Sequence, residues 1–271
     1  MSALSFKLRA PPPQRLDLSA LVPARLAGLD QAAIERLPIG TTRAPLAVGE
    51  AFAVRMGEAA SIAFEGGSER FDNVGAGLDG GDIVLEGDAG LFAGRGMTAG
   101  RLEIRGNAGA FAASGLKGGC VEIGGDVQEH LGGPAAGKTR GVSGGVVVVR
   151  GRAGARAGDR MRRGLIVIEG DAGEFAAARM IAGTVVICGA AGRLPGYLMR
   201  RGTLLIGGAA EPPPTFVAVG GTTEVFAALL ARALAPLSRL AAGLAEVPWQ
   251  RLAGDMATLG RGEMLLPRQK C

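Results

Sequence analysis

The stretch GGPAAGKT, Gly132 to Thr139, fits G-x-x-x-x-G-K-[ST], the pattern of a loop whose backbone N–H groups cradle phosphate while its lysine reaches the outer phosphates. Chance produces such a match in roughly one of a hundred chains this rich in glycine, so context decides. The chemistry requires a buried strand just before the loop and a helix just after it, because successive N–H groups and the helix N-terminus together make the anion site. Here GGDVQEHL precedes the pattern and RGVSGGVVVVRG follows it, a glycine corner and then a strand. No helix starts there, and no acidic strand end is placed to hold magnesium. The segment reads as a loop bulging outward, with Lys138 and Arg140 kept as candidate anion contacts.

The remaining reactive residue types are scattered. His130, the one histidine, has no Cys, Asp or Glu at ligand spacing and reads as a loop or interface residue on the same insertion. Cys120, Cys188 and Cys271 are far apart with no C-x-x-C, which suits free thiols in a reducing cytosol and supplies neither an iron–sulfur nor a structural zinc site. Asp88, Asp126 and Asp171 recur at one place where aspartate favours turns. No Ser/His/Asp, Cys/His or paired-carboxylate set can be assembled, so the chain is assigned no catalytic residue, no metal ligand and no cofactor of its own.

Charge is the stronger signal. Lys138, Arg140, Arg150, Arg152, Arg156, Arg160, Arg162 and Arg163 stand against the single acid Asp159, eight minus one, a local +7 that exceeds the whole-chain +5. That run predicts an anionic partner or an acidic protein surface, or else a solvated face of an arginine-rich chain. The few aromatics give nucleic-acid bases little to stack on, and no apolar run of about 18 residues is present to cross a bilayer. MSALSFKLRAPPPQRL has proline where a signal peptide needs its apolar stretch. The expectation is a cytoplasmic protein with neither nucleic-acid nor membrane partners.

What must position these residues is a repeat. GDIVLEGDAGLFAGRGMTAG from Gly81, GRLEIRGNAGAFAASGLKGG from Gly100, GLIVIEGDAGEFAAARMIAG from Gly164 and GTVVICGAAGRLPGYLMRRG from Gly183 share one template. Its leading glycines are Gly81, Gly100, Gly119, Gly145, Gly164, Gly183 and Gly202, spaced 19, 19, 26, 19, 19 and 19 apart, so the phosphate-loop look-alike falls in the one coil with seven extra residues. A second glycine row follows six residues later, from Gly87 to Gly208. Both rows mark corners that need positive φ or close backbone approach.

Between the rows runs a five-residue strand with an inward apolar pair in every coil, from Ile83/Leu85 to Leu204/Ile206. SIAFEGG, with Ile62, Phe64 and Gly66, reads as an earlier, less regular coil. No unit of 19 residues buries its own apolar face, but a stack does, which predicts an all-β core: a right-handed parallel β-helix of about seven to eight coils over residues 61–208. On the outer face Glu86 falls over Arg105 and Arg150 over Glu169, opposite charges on neighbouring coils. Val148, Val167, Val186 and Leu205 point outward too, which predicts a cover from another segment or another subunit.

The flanks break the pattern. Residues 1–60, with a short helix in LDQAAIERL capped by Asp30, read as a cap over the first coil, because an open end exposes core and unpaired edge. Residues 209–271 read as a C-terminal helical tail, with Leu, Ala and Val at helical spacing interrupted at Pro236 and Thr222 or Thr223 as a cap.

The G-x-x-G-x-x-x-G units GDAGLFAG, GRAGARAG and GAAGRLPG resemble the GXGXG β-helix family, which includes the C-terminal domain of the glutamate synthase large subunit and the C subunit of formylmethanofuran dehydrogenase. The lengthened coil HLGGPAAGKTRGVSGG is similar to that family's, and IERLPIGTTRAPLAVGEAFAV and LAGDMATLGRGEML are similar to the two ends of the formylmethanofuran dehydrogenase C-subunit family. Two kinds of assembly share this pattern: an archaeal tungsten or molybdenum dehydrogenase and the bacterial formyltransferase/hydrolase complex of methylotrophs. The lysine-poor, Ala/Arg/Gly-rich composition looks like a high-GC bacterium and favours the second. The resemblance implies a structural subunit among hydrolase, transferase and dehydrogenase-like partners. In that assembly a formyl group passes from formyl-tetrahydromethanopterin to a furan carrier and is hydrolysed to formate, with the metal and the carrier held by the partner subunits. Arg162/Arg163 and the corner-matched Arg200/Arg201 join Lys138 and Arg140 as candidate contacts to an acidic subunit or the carrier's acidic tail.

Overall fold

The computed structural model describes residues 2–220 and 224–268. The chain opens with β1 (Ala3–Leu8), the two-residue β2 (Leu16–Asp17), helices α1 (Pro23–Leu26), α2 (Gln31–Glu35) and α3 (Val48–Ala51), and β3 (Phe52–Arg55). The repeat supplies β4 (Glu58–Glu65), the short β5 (Phe71–Asp72), β6 (Asp79–Leu85), β7 (Ala99–Ile104), β8 (Cys120–Ile123), β9 (Ser143–Val149), β10 (Arg163–Ile168), β11 (Thr184–Ile187) and β12 (Arg201–Ile206). The tail adds β13 (Val217–Val219), α4 (Glu224–Leu234), α5 (Arg239–Ala245), β14 (Trp249–Gly254) and β15 (Arg261–Pro267).

From β4 to β12 each long strand of the repeat pairs in parallel with the next, in the register that the 19-residue spacing dictates: Ile83 faces Leu102, Leu102 faces Val121, and Val147 faces Ile166. The inward pairs are all buried, forming aliphatic columns down the middle of a β-helix-like core. A second side of each coil is narrower, a single ladder in which Ala89, Ala108, Val127, Ala153, Ala172 and Ala191 bridge in turn.

The two glycine rows serve different needs. Gly119 sits at φ +81 with the backbone of Gly100 and Ala99 within 2.9 Å of where a Cβ would stand. At Gly151 the conformation is ordinary, but a Cβ would fall on Asp126 Oδ1 and the Gly125 backbone. That space is kept clear because the Asp and Asn side chains of this corner reach forward one coil. Asp88 Oδ1 accepts from Asn107 N at 2.7 Å, Asn107 Oδ1 from Asp126 N at 2.8 Å, Asp126 Oδ1 from Arg152 N at 2.8 Å, and Asp171 Oδ1 from Ala190 N at 2.7 Å. Asp88, Asp126 and Asp171 are therefore rungs between coils, a use that a turn within one coil does not capture.

The ends are closed by strands from the flanks. β1 adds in parallel to β4 and carries β3 antiparallel on its far side, while Phe6, Phe52, Phe64 and Phe71 pack as a plug, Phe6 stacked on Phe64 at 5.1 Å between centroids. Four of the chain's nine phenylalanines are gathered here. Asp30 caps α2 as expected, accepting from Ala33 N at 2.7 Å. At the other end β15 adds in parallel to β12 and folds back through β14 and β13, so the tail is a mixed unit and not purely helical. Thr222 and Thr223 lie outside the described residues.

The outward apolar row is covered by the chain's own tail. Val148, Val167, Val186 and Leu205 pack against Leu230, Ala231, Leu234, Ala241, Ala245 and Trp249 in a second hydrophobic cluster. The helix pair is pinned by a charge cluster on the strand face: Arg150 donates to Glu169 at 2.6 Å, to Glu122 at 2.6 Å and to the Leu237 carbonyl at 2.9 Å. Ser238, which caps α5, donates to Glu169 at 2.6 Å. The expected Arg105–Glu86 pair also forms, at 2.6 Å, out on the uncovered coils. Leu205→Ala, beneath the helix pair, is expected to cost about 2–5 kcal/mol in equilibrium urea unfolding. Glu103→Ala, at the same strand position of an uncovered coil, is expected to cost less than about 1 kcal/mol.

Candidate functional site

The third side of each coil is a run of turns in which left-handed residues alternate with ordinary ones. Its first left-handed position is filled by Phe92, Phe111, His130, Arg156, Phe175 and Leu194, at φ between 56 and 62°. Each such non-glycine residue costs about 1–2 kcal/mol locally. Bonds between coils hold them there: Phe111 N donates to Glu129 O at 3.0 Å and His130 N to Ala155 O at 2.9 Å. The shared conformation aligns the side chains in a column. Phe92 stacks on Phe111 at 5.1 Å, Phe111 on His130 at 4.7 Å and 2° between planes, and Arg156 lies 5.0 Å from the Phe175 ring centre. His130 is thus a rung of the regular coil, ahead of the insertion. Its buried Nδ1 has no hydrogen-bond partner among the described residues, and the ring's orientation is set by its stacking on Phe111.

The extra residues leave the stack after Gly133 and rejoin it at Gly141. The neck is closed by Val142 N on Gly132 O at 2.8 Å, and buried Ser114 Oγ donates to Gly133 O at 2.7 Å. A strand, β9, follows the lysine where a phosphate loop needs a helix, as the sequence indicates. The exposed loop stands between two grooves on the turn side. One, of about 530 Å³, is lined by Arg95, Lys117, Lys138 and Arg140 with Ser114 and Ser143. The other, of about 300 Å³, is lined by Arg160, Arg179 and Arg200 with Thr139 and Thr258. Among the described residues no carboxylate lines either groove. Arg179 holds buried Asp159 through two bonds, 2.9 and 2.7 Å, which removes the local acid from play.

The sequence-level candidates divide accordingly. Lys138, Arg140 and Arg200 reach the grooves. Arg162, two coils from Arg200 on the same row, is exposed nearby but lines neither. Arg163 and Arg201 open β10 and β12 at the neighbouring corner, where Arg201 sits beside Arg261 in register. The basic run is not one patch: Arg150 pins the tail, Arg152 pairs with Asp126, and Arg156 joins the aromatic column. Arg95, Lys117 and Arg179 were missed because they lie outside that run. The repeat carries a signal for Lys117, since aligning the coils puts it in the row of Arg162 and Arg200.

Both thiols among the described residues are shifted toward their neutral form. Burial, and then the nearby Glu169 charge, pushes the Cys188 thiol up to about 12, and burial chiefly raises that of Cys120. Cys271 lies outside the described residues. Among the described residues no group of three His, Cys, Asp or Glu is placed to hold a metal, and no helix is long and apolar enough to cross a membrane.

No protein-family model matches the chain. Over 86 residues it is 45% identical to the C subunit of the formyltransferase/hydrolase complex Fhc of Methylorubrum extorquens, a stretch that takes in 32% of this chain and 32% of that relative. The fold likeness runs end to end. It superposes with a TM-score of 0.94 and 45% identity on a chain of the crystal structure of the formyltransferase/hydrolase complex FhcABCD from Methylorubrum extorquens in complex with methylofuran, covering 98% of this chain and 100% of that one.

Raising a thiol from its ordinary 9.0 to about 12 cuts its thiolate fraction at pH 8 about a thousandfold. Iodoacetamide is expected to label Cys188 of the folded chain more slowly by that order than in the urea-unfolded chain, read by peptide mass spectrometry. Because the folded state favours the neutral thiol, its contribution to stability is whole below about pH 9 and is lost as pH climbs toward 12.

Proposed function

Because this chain belongs to the C-subunit family of the formyltransferase/hydrolase complex, we propose that it is the non-catalytic structural partner in such an assembly. The assembly takes a formyl group from formyl-tetrahydromethanopterin, passes it to a furan carrier and hydrolyses it to formate. The observation that carries this reading is the end-to-end likeness, which includes both capping flanks as well as the repeat. We read the core as a right-handed parallel β-helix of about seven to eight coils, with 1–60 as cap, 61–208 as coils and 209–271 as tail. The chemistry belongs to hydrolase, transferase and dehydrogenase-like subunits in the cytoplasm, which also hold the metal and the carrier. What supports a structural role here is that this chain's buried or clustered charges serve the fold: Arg150 with Glu169, Arg179 with Asp159, and the Asp and Asn rungs between coils. The basic residues Lys138, Arg140, Arg162, Arg163, Arg200 and Arg201 face an acidic subunit surface or the carrier's acidic tail.

Co-expression with the partner subunits, followed by affinity purification and native mass spectrometry, is expected to return this chain in a hetero-oligomer, with no formyl hydrolysis by the chain alone. A monomer without companions rejects the reading. Reversing Arg162, Arg163, Arg200 and Arg201 to Glu is expected to impair assembly or formyl transfer, and unchanged assembly and transfer remove those arginines from the interface.

A further inference from the structure

Helix α4 is apolar on both of its faces. Leu230, Ala231 and Leu234 are buried against the coils, yet Val225 and Leu229, on the opposite side, are 75% and 61% exposed, and Leu240 of α5 beside them is 57% exposed. A surface helix is expected to carry its apolar residues on one face only, and one that is apolar all round is buried all round. Single exposed leucines need no explanation, but a row shared by two adjacent helices marks a contact. Gly243 gives a second, independent sign. It lies exposed inside α5, and no atom stands within 4 Å of where its Cβ would be. Packing within the chain therefore gives no reason for a residue that disfavours helix, whereas close approach of another molecule at that point does.

The charges on the helix pair identify what approaches. The short connection 235–238 folds α4 and α5 into a hairpin. Arg232, in the last turn of α4, and Arg239, the first residue of α5, flank that connection. Glu246 stands exposed just past α5, toward the end of the pair where α4 begins. One end of the face is thus basic and the other carries an acid, an arrangement complementary to itself when turned through half a circle. We propose that the outer faces of α4 and α5 from two copies of this chain pack together as an antiparallel four-helix layer, with Arg232 and Arg239 of each copy opposite Glu246 of the other. Val225, Leu229 and Leu240 of both copies fill the middle, and Gly243 lets the helices come close. A second copy supplies both the apolar surface and the matching charges. A bilayer does not fit as well, because two arginines fall short of the four to eight cations that hold a helix on anionic lipid. With α4 only about 16 Å long, the face lies at the weak end of protein interfaces, so the isolated chain exchanges between monomer and dimer.

Sedimentation velocity of the full-length chain from about 1 to about 300 µM is expected to show a reversible dimer. Leu229→Glu with Leu240→Glu is expected to raise its dissociation constant at least about tenfold while the melting temperature stays within about 2 °C. Should that pair lower the melting temperature further, Leu229→Ser alone reports on the face. Gly243→Leu is expected to hold or raise the melting temperature and yet abolish the dimer, a combination that a merely structural glycine does not give. Arg232→Glu with Arg239→Glu weakens the dimer, and adding Glu246→Arg to the same chain restores it. Benzoylphenylalanine in place of Leu229, in a mixture of ¹⁵N-labelled and unlabelled chain, yields cross-linked peptides of mixed isotope. A monomer at every concentration, a dimer that survives Gly243→Leu, or a cross-link to a different subunit in the purified assembly overturns the contact. So does retention on phosphatidylserine vesicles that Leu229→Glu abolishes, which assigns the face to lipid. An assembly that forms while the chain itself stays monomeric refutes this contact alone, whereas a dimeric chain that never co-purifies with other subunits refutes the structural-partner reading alone.

Discussion

Stacking depends on each coil meeting the next at backbone hydrogen-bonding distance on all three sides at once. The parallel strand ladder needs about 4.8 Å between neighbours, and the alanine bridges and turn-side bonds must keep the same step. Glycine is what permits it. Where the chain swings into a strand it must take positive φ with the previous coil's backbone against it, as at Gly119. Where it leaves the strand it must make room for an Asp or Asn side chain from the coil before, as at Gly151. The aliphatic columns then supply the free energy, at about 1.5–3 kcal/mol for each fully buried side chain.

A stack of this kind has two weak places, its ends and its outer strand face, and the flanks answer both. β1 and β15 extend the parallel ladder by one strand at each end and then turn antiparallel, so the edges are covered by the same hydrogen bonds that hold the middle. The outer face of the later coils is apolar where α4 and α5 lie on it, and that of the earlier coils, which no helix covers among the described residues, is charged. Arg150 stands at the boundary, joining Glu122 of one kind of coil to Glu169 beneath the helices.

On the turn side the same regularity produces a different result. A repeating left-handed backbone makes equivalent side chains stack, so a column of rings occupies one margin and rows of cations fill the grooves beside it. The insertion interrupts those rows without disturbing the stack, since its neck is closed by a bond between Val142 and Gly132 that preserves the coil's own path. This leaves its exposed tip free to carry Lys138, Thr139 and Arg140 along one groove, with Thr139 bordering the other as well.

Much of this was legible in the sequence because the repeat is covalent arithmetic. Glycine spacing set the register, alternation set which face is inside, and the register in turn placed Glu86 on Arg105 and Arg150 on Glu169. The outward row Val148, Val167, Val186 and Leu205 announced a cover, since apolar surface in water must be buried. What covers it, and which of eight neighbouring basic residues face one another, are distance questions between segments that the 19-residue period does not relate. Asp159 belongs to Arg179, Arg150 to the tail, and Arg95 and Lys117 to the insertion loop. The sequence by itself determined a parallel stack and its inner columns, because those follow from local periodicity. Only the tertiary structure decided which charges are neutralised and which have no ion-pair partner among the described residues, because a charge's role depends on what lies within a few ångströms of it in space.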